Sequence, residues 1–140
     1  MRWWPSECEF GDMIRVRIGS IRHYGVYLGD DEVIQFGPPP RGEPAPEDTI
    51  RVLSTTLAEF SGGSIVERAE LSFVERLRRI PPKKTAAIAR SRLGEGGYNL
   101  LHNNCEHFAY ECVFGVKRSE QEEEARRRWN EYVKNRREQD

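Results

Sequence analysis

Residues 13–36 carry the pattern that most narrows the choice of fold. Met13-Ile14-Arg15-Val16-Arg17-Ile18 alternates apolar and polar side chains with β-branched residues on one face, the period of a half-buried strand, and Gly19-Ser20 ends it. Tyr24-Gly25-Val26-Tyr27-Leu28, Gly29-Asp30-Asp31 and Glu32-Val33-Ile34-Gln35-Phe36 then read as strand, turn and strand, the composition of a β-hairpin. Any fold of this chain has to accommodate short strands joined by tight turns. With 140 residues there is room for one domain. A domain of that size buries about 70% of its unfolded surface, enough to shield a reactive group from water.

Downstream, residues 37–48 hold five of the eight prolines, which exclude a central strand and indicate a stiff loop leaving Gln35. Residues 49–53 read as a strand and Ser54 as an N-cap, followed by a short helix with Leu57 and Phe60 inward and Gly62-Gly63 closing it. Residues 64–68 suggest another strand. Residues 83–93 read as a helix, with Pro81-Pro82 at its first turn and Gly94 at its end. Cys105, Phe108, Ala109 and Cys112 recur at i, i+3, i+4 and i+7, one face of a helix begun by an Asn cap and ended near Gly115.

In the tail, residues 117–140, 15 of 24 residues are charged, and Glu122, Glu123 and Glu124 each precede an Arg by four positions. Such pairs support a helix by only about 0.2–0.5 kcal/mol each. Its narrow stripe of Ala125, Trp129, Tyr132 and Val133 fits a solvated surface helix pinned by Trp129, or a helix that meets a partner. The expected organisation is a catalytic unit over residues 1–121 and a charged helical tail over 122–140.

Charge excludes some functions. With 22 Lys and Arg against 23 Asp and Glu, the formal charge of -1 argues against whole-domain affinity for nucleic acid. The charge is segregated, however: residues 76–92 carry seven cations and no acid, and residues 30–48 six acids and one cation. The basic stretch is a solvated face, or a surface for peripheral contact with an anionic membrane, where each cation contributes about 1 kcal/mol, or for RNA. No window approaches the roughly 18 apolar residues of a membrane span, and Met1-Arg2-Trp3-Trp4-Pro5 lacks the apolar core of a secretory signal. The cytosol is therefore the expected compartment. Three cysteines cannot all pair, and on one helix Cys105 and Cys112 would lie about 10 Å apart, beyond disulfide reach. Free thiols are expected.

The densest chemical signal is Asn103-Asn104-Cys105-Glu106-His107-Phe108. A thiol on the first turn of a helix has its thiolate favoured, with a pKa expected below the ordinary value near 8.5. Cys105 is then a nucleophile, or alternatively a small core residue beside Phe108 and Cys112. A nucleophilic thiol needs a base. His107 lies about 200° around the helix from Cys105, and His102 just precedes the helix. His23 is preferred, because a strand fixes its ring better than a loop. Gln35 is the candidate to hold that ring. A three-residue hairpin loop, residues 29–31, sets Gly25 opposite Gln35 and makes His23 and Gln35 diagonal neighbours about 7–8 Å apart at Cα. A two-residue loop would put them on opposite faces. His102, Cys105, His107 and Cys112 lack metal-ligand spacing, and Gly94-Glu95-Gly96-Gly97 is no phosphate loop, so neither metal nor cofactor is expected.

His23-Tyr24-Gly25-Val26-Tyr27-Leu28-Gly29-Asp30, the Asn103 to Phe108 block and Gly115-Val116-Lys117-Arg118-Ser119-Glu120-Gln121, with Gly11-Asp12 and Tyr98-x-Leu100-Leu101, together resemble the lecithin retinol acyltransferase-like family. That family belongs to the NlpC-type, circularly permuted papain-like cysteine enzymes, in which histidine precedes cysteine, as here. The resemblance implies an α+β fold, an antiparallel sheet packed on the helix that carries the nucleophilic cysteine at its N-terminus. It implies that Cys105 attacks an acyl ester such as a phospholipid, that His23 shuttles the proton, and that an acyl-thioester passes to an alcohol, amine or water. The third catalytic position, usually a second histidine, is Gln35 here. Many members in animals carry a hydrophobic C-terminal anchor, whereas this tail is charged, so stable membrane residence is not expected. The competing functions are an NlpC-type peptidase or amidase, and a binding module with a vestigial site.

Overall fold

The computed structural model describes residues 1–37, 46–99, 104–116 and 118–139, excepting the side chains of 118–126 and 139. Six strands form one antiparallel sheet: β1 (Arg2–Trp4), β2 (Met13–Ile18), β3 (Ile21–Tyr27), β4 (Glu32–Phe36), β5 (Val52–Thr56) and β6 (Val66–Glu70), in the order β1-β6-β2-β3-β4-β5. The helices are α1 (Leu57–Ser61), α2 (Phe73–Arg78), α3 (Pro82–Ser91), α4 (Cys105–Phe114) and α5 (Arg118–Gln139). The fold is α+β.

Alternation along β3 and β4 divides the core in two. Tyr24, Val26, Ile34 and Phe36 face α3 and α4, where Ala86, Ala89, Phe108, Ala109, Cys112 and Val113 complete the main cluster. Val33 joins Ile14, Val16 and Phe60 of α1 in a smaller cluster on the other face. At roughly 25 cal/mol per Å² of apolar surface, each fully buried Phe or Ile contributes about 1.5–3 kcal/mol, so Phe36, Phe60 and Phe108 are main anchors of the two layers.

The hairpin takes the odd-numbered register. Gly25 pairs with Gln35, Val26 with Ile34 and Tyr27 with Val33, while Leu28 and Glu32 close a loop whose Gly29, Asp30 and Asp31 all have positive φ. The fourth strand of the meander lies later than the sequence suggests: β5 is Val52–Thr56 rather than 49–53, and Thr56 rather than Ser54 caps α1, its hydroxyl accepting from the Glu59 N–H. The ladder with β4 is the reason, since it runs from Phe36↔Val52 to Glu32↔Thr56 and holds Ser54 opposite Ile34. For the same reason β6 starts at Val66, paired with Val16, rather than at residue 64.

The chain contains two elements that its sequence did not announce, β1 and α2. β1 pairs with β6, and Trp3 packs edge-on against Tyr24 with centroids 5.6 Å apart. α2 opens with a capping box, Ser72 Oγ accepting from Glu75 N–H and the Glu75 carboxylate from Ser72 N–H. α5 runs unbroken across residue 121, and Trp129 is not the expected pin: it stacks on Tyr132 at 5.7 Å while remaining 64% exposed.

Candidate active site

Asn104 caps α4, its Oδ1 accepting from the N–H groups of Glu106 (3.0 Å) and His107 (3.1 Å), and this sets Cys105 at the first helical position. His107 returns the favour through Nδ1, which accepts from the Asn104 N–H at 3.2 Å. It occupies the place a Glu or Gln fills in most capping boxes, so its role is to fix the helix start. His102, the remaining histidine, lies outside the described residues.

The ladder between β3 and β4 stops at Gly25 and Gln35. Past that point no described strand pairs with the N-terminal half of β3 on that side, and the start of α4 approaches it: the backbone N–H of Tyr24 and that of Cys105 itself both point at the Cys105 sulfur. His23 and Gln35 lie on the α1 face of the sheet, opposite the body of α4, and Cys105 stands where α4 begins. A Cβ built on Gly37 would lie 3.2 Å from His23 Cε1, 3.5 Å from its Nδ1 and 3.7 Å from Cys105 Cβ. Ring and thiol thus border one small space, which glycine keeps empty.

His23 is 5% exposed, and its Nε2 lies 2.9 Å from Gln35 Oε1. A carbonyl oxygen only accepts, so Nε2 carries the proton and Nδ1 presents its lone pair. Phe60 supports the ring with centroids 5.1 Å apart. Gly25 makes room for Phe60, since a Cβ there would meet its Cε2 at 2.8 Å. Gln35 is 1% exposed, and its Nε2 is a buried donor with no partner among the described residues. A buried amide donor left without a partner costs about 1–3 kcal/mol.

Burial decides the protonation states. It lowers the His23 pKa below the usual histidine value, and the Gln35 hydrogen bond pulls only partly back. It raises the Cys105 thiol above the ordinary cysteine value, outweighing the two backbone N–H groups. The expectation of a thiol acidified by the helix N-terminus is therefore corrected: desolvation exceeds the local helix effect, and the resting pair is a neutral thiol and a neutral imidazole. Cys112, deeper along α4, is pushed up to about 12 by the same cause. The Tyr98 phenol, packed against Phe36 at 5.2 Å, is raised first by burial and then by Cys105 and Glu47.

The structure brings together the three residues singled out in the sequence, Cys105, His23 and Gln35. Residue-by-residue reading missed the Tyr24 N–H, Gly37 and the supporting Phe60. Among the described residues no three His, Cys, Asp or Glu side chains gather in a way that could hold a metal ion.

The profile of the lecithin retinol acyltransferase family matches residues 6–118. The chain belongs to that family. Among curated relatives, this family member is 28% identical over 127 residues to phospholipase A and acyltransferase 2 of Homo sapiens, covering 81% of this chain and 75% of that protein. It is 30% identical over 129 residues to phospholipase A and acyltransferase 3 of Mus musculus, with 82% and 76% covered. It is 29% identical over 132 residues to lecithin retinol acyltransferase of Rattus norvegicus, covering 81% of this chain but only 57% of that protein.

Proposed function

We propose that this family member is a thiol-dependent acyltransferase or phospholipase-type hydrolase that takes acyl groups from esters through a thioester on Cys105. The observation that carries the reading is the 2.9 Å hydrogen bond from His23 Nε2 to Gln35 Oε1, which leaves Nδ1 basic beside the thiol. Because both partners rest neutral, the thiol proton passes to Nδ1 as sulfur attacks the ester carbonyl, rather than from a preformed ion pair. The oxyanion forms between the N–H groups of Tyr24 and Cys105, the two donors already aimed at the sulfur. Collapse breaks the C–O bond, and the leaving alkoxide takes the proton from His23. An alcohol, amine or water then attacks the thioester, giving its proton to Nδ1, and the thiol regains a proton at the end. Gln35 acts through His23 and is a positioning residue.

Acyl esters, phospholipids among them, are the substrate class consistent with relatives named phospholipase A and acyltransferase. No described helix is long and apolar enough to cross a membrane. Of the seven cations in residues 76–92, Arg79 donates to Gly11 O and Thr85, Arg90 pairs with Glu32, and Arg92 pairs with Glu95 and Glu111. Arg76, Arg78, Lys83 and Lys84, beside the exposed Phe73, Val74 and Leu77, are left for peripheral contact with an anionic membrane. That surface stands at the end of the sheet away from Cys105, so it would anchor the protein without delivering lipid to the thiol. Intact-mass measurement after incubation with an activated acyl ester tests the mechanism: one acyl group is expected on Cys105, and an unmodified protein, or an adduct that survives Cys105→Ala, would overturn it.

A further inference from the structure

We propose that Arg17 and Arg22 are the residues that bind the phosphate of a phospholipid acyl donor; this rests on the reading above, in which such a donor acylates Cys105. The two arginines face each other directly across β2 and β3, just before the Gly19-Ser20 turn. Like charges in that arrangement repel. Elsewhere on the same face the chain neutralises its cation: Arg15 pairs with Glu67 at 3.1 Å and lies 4.2 Å from the centroid of the Trp3 ring. The side chains of Arg17 and Arg22 are exposed and make neither hydrogen bond nor ion pair with any described residue. An anion between them would relieve the repulsion, and guanidinium groups bind phosphate oxygens in a fixed two-pronged geometry.

The place of the pair ties it to the reaction. Arg17, Gly19, Ser20, Arg22, Tyr24 and Glu106 line an open concavity of about 480 Å³. Tyr24 supplies one N–H to the Cys105 sulfur, and Glu106 follows Cys105 on the first turn of α4. A phosphate held here is therefore separated from the thiol by little more than Tyr24, as the phosphate of a glycerophospholipid is separated from its ester carbonyls by a few bonds. Strand alternation puts Arg17 and Arg22 on the Tyr24 side of the sheet and His23 on the other. The headgroup is thus bound without covering the base.

The test uses the full chain carrying Cys105→Ala, so that nothing turns over, and dihexanoylphosphatidylcholine below its micelle concentration, so that no membrane takes part. Replacing both arginines, Arg17→Gln with Arg22→Gln, should weaken phosphatidylcholine binding about tenfold to a hundredfold, while dihexanoylglycerol, which has no phosphate, changes less than about twofold. Arg17→Lys with Arg22→Lys should recover part of the loss, because charge remains and the fork does not. Equal weakening for both lipids, or none for either, would overturn the assignment. Arginine-dependent binding of inorganic phosphate as tight as that of the lipid would overturn it too, in favour of a site for free phosphate. Arginine-dependent lipid binding without any acylation of the unmutated thiol would support the pocket and count against the catalytic reading alone.

Discussion

At the end of the sheet where β3 and β4 separate, the buried His23 and Gln35 and the half-buried Cys105 rest as uncharged groups, and the Gln35 amide keeps a donor without a described partner. At the other end Asp12, Arg68 and Glu9 meet as ions. Arg68 Nε lies 3.0 Å from Asp12 Oδ2, and the Glu9 N–H donates to the same carboxylate at 2.7 Å. Burial raises Asp12 above the usual aspartate value even so, against the pull of the Glu9 N–H and of Arg68. Arg79 closes this end by donating to Gly11 O and to Thr85. Desolvation acts on both ends, and only the far end answers it with a full set of partners. An uncompensated end can move a proton without first breaking an ion pair; a compensated one holds the N-terminal loop to the sheet.

Substitutions at each end should separate these two roles. The largest effect is expected at Cys105→Ala, which should remove the acyl adduct altogether, with His23→Ala slowing adduct formation by about 10²–10⁴-fold. A His23 variant that acylates at the normal rate would break the comparison at its centre. Gln35→Ala should slow acylation by about tenfold to a hundredfold, and Gln35→His should restore most of it by offering the ring a new partner.

Protonation sharpens the contrast further. His23 must be neutral to accept a proton, and burial holds its pKa below 6.5, so the acylation rate should stay level through neutral pH and fall only in more acidic solution. In Gln35→Glu the carboxylate favours the imidazolium and should move that acidic fall to higher pH, a shift that a merely structural role for position 35 would not produce. Alkylation by iodoacetamide should quicken steadily as pH rises past 9, with Cys105 ahead of Cys112; a Cys105 rate already at its plateau at pH 7 would show a preformed thiolate.

The far end should give the smallest effect on chemistry and a clear one on stability. Asp12→Ala strips Arg68 and the Glu9 N–H of their shared acceptor, so unfolding should become easier by about 1–3 kcal/mol in a denaturant titration. Acylation by the folded variant should stay within about twofold of normal. A large loss of rate there would mean that the two ends are coupled through β2 and β3.

Sequence alone determined the parts whose signals are short-range. Alternation in residues 13–18 marked β2, and the Asn104 cap with Cys105, Phe108, Ala109 and Cys112 marked α4 to within a residue. The block around Cys105 also carried the family. Of α2 the sequence carries only a start signal, Ser72 and Glu75 at capping-box spacing, because six residues are fewer than the window over which an apolar period can be read. β1 was not legible, because a three-residue edge strand is defined by its partner β6, more than 60 residues away.

The tertiary structure decided whether the hairpin loop has two residues or three, and with it whether Gln35 shares a face with His23. It also decided the ionisation of Cys105. The helix N-terminus that favours the thiolate is written in neighbouring residues, whereas the burial that overrides it is summed over β3, β4 and α4 at once. Desolvation depends on all the water excluded around a group, and no short stretch of chain records that quantity.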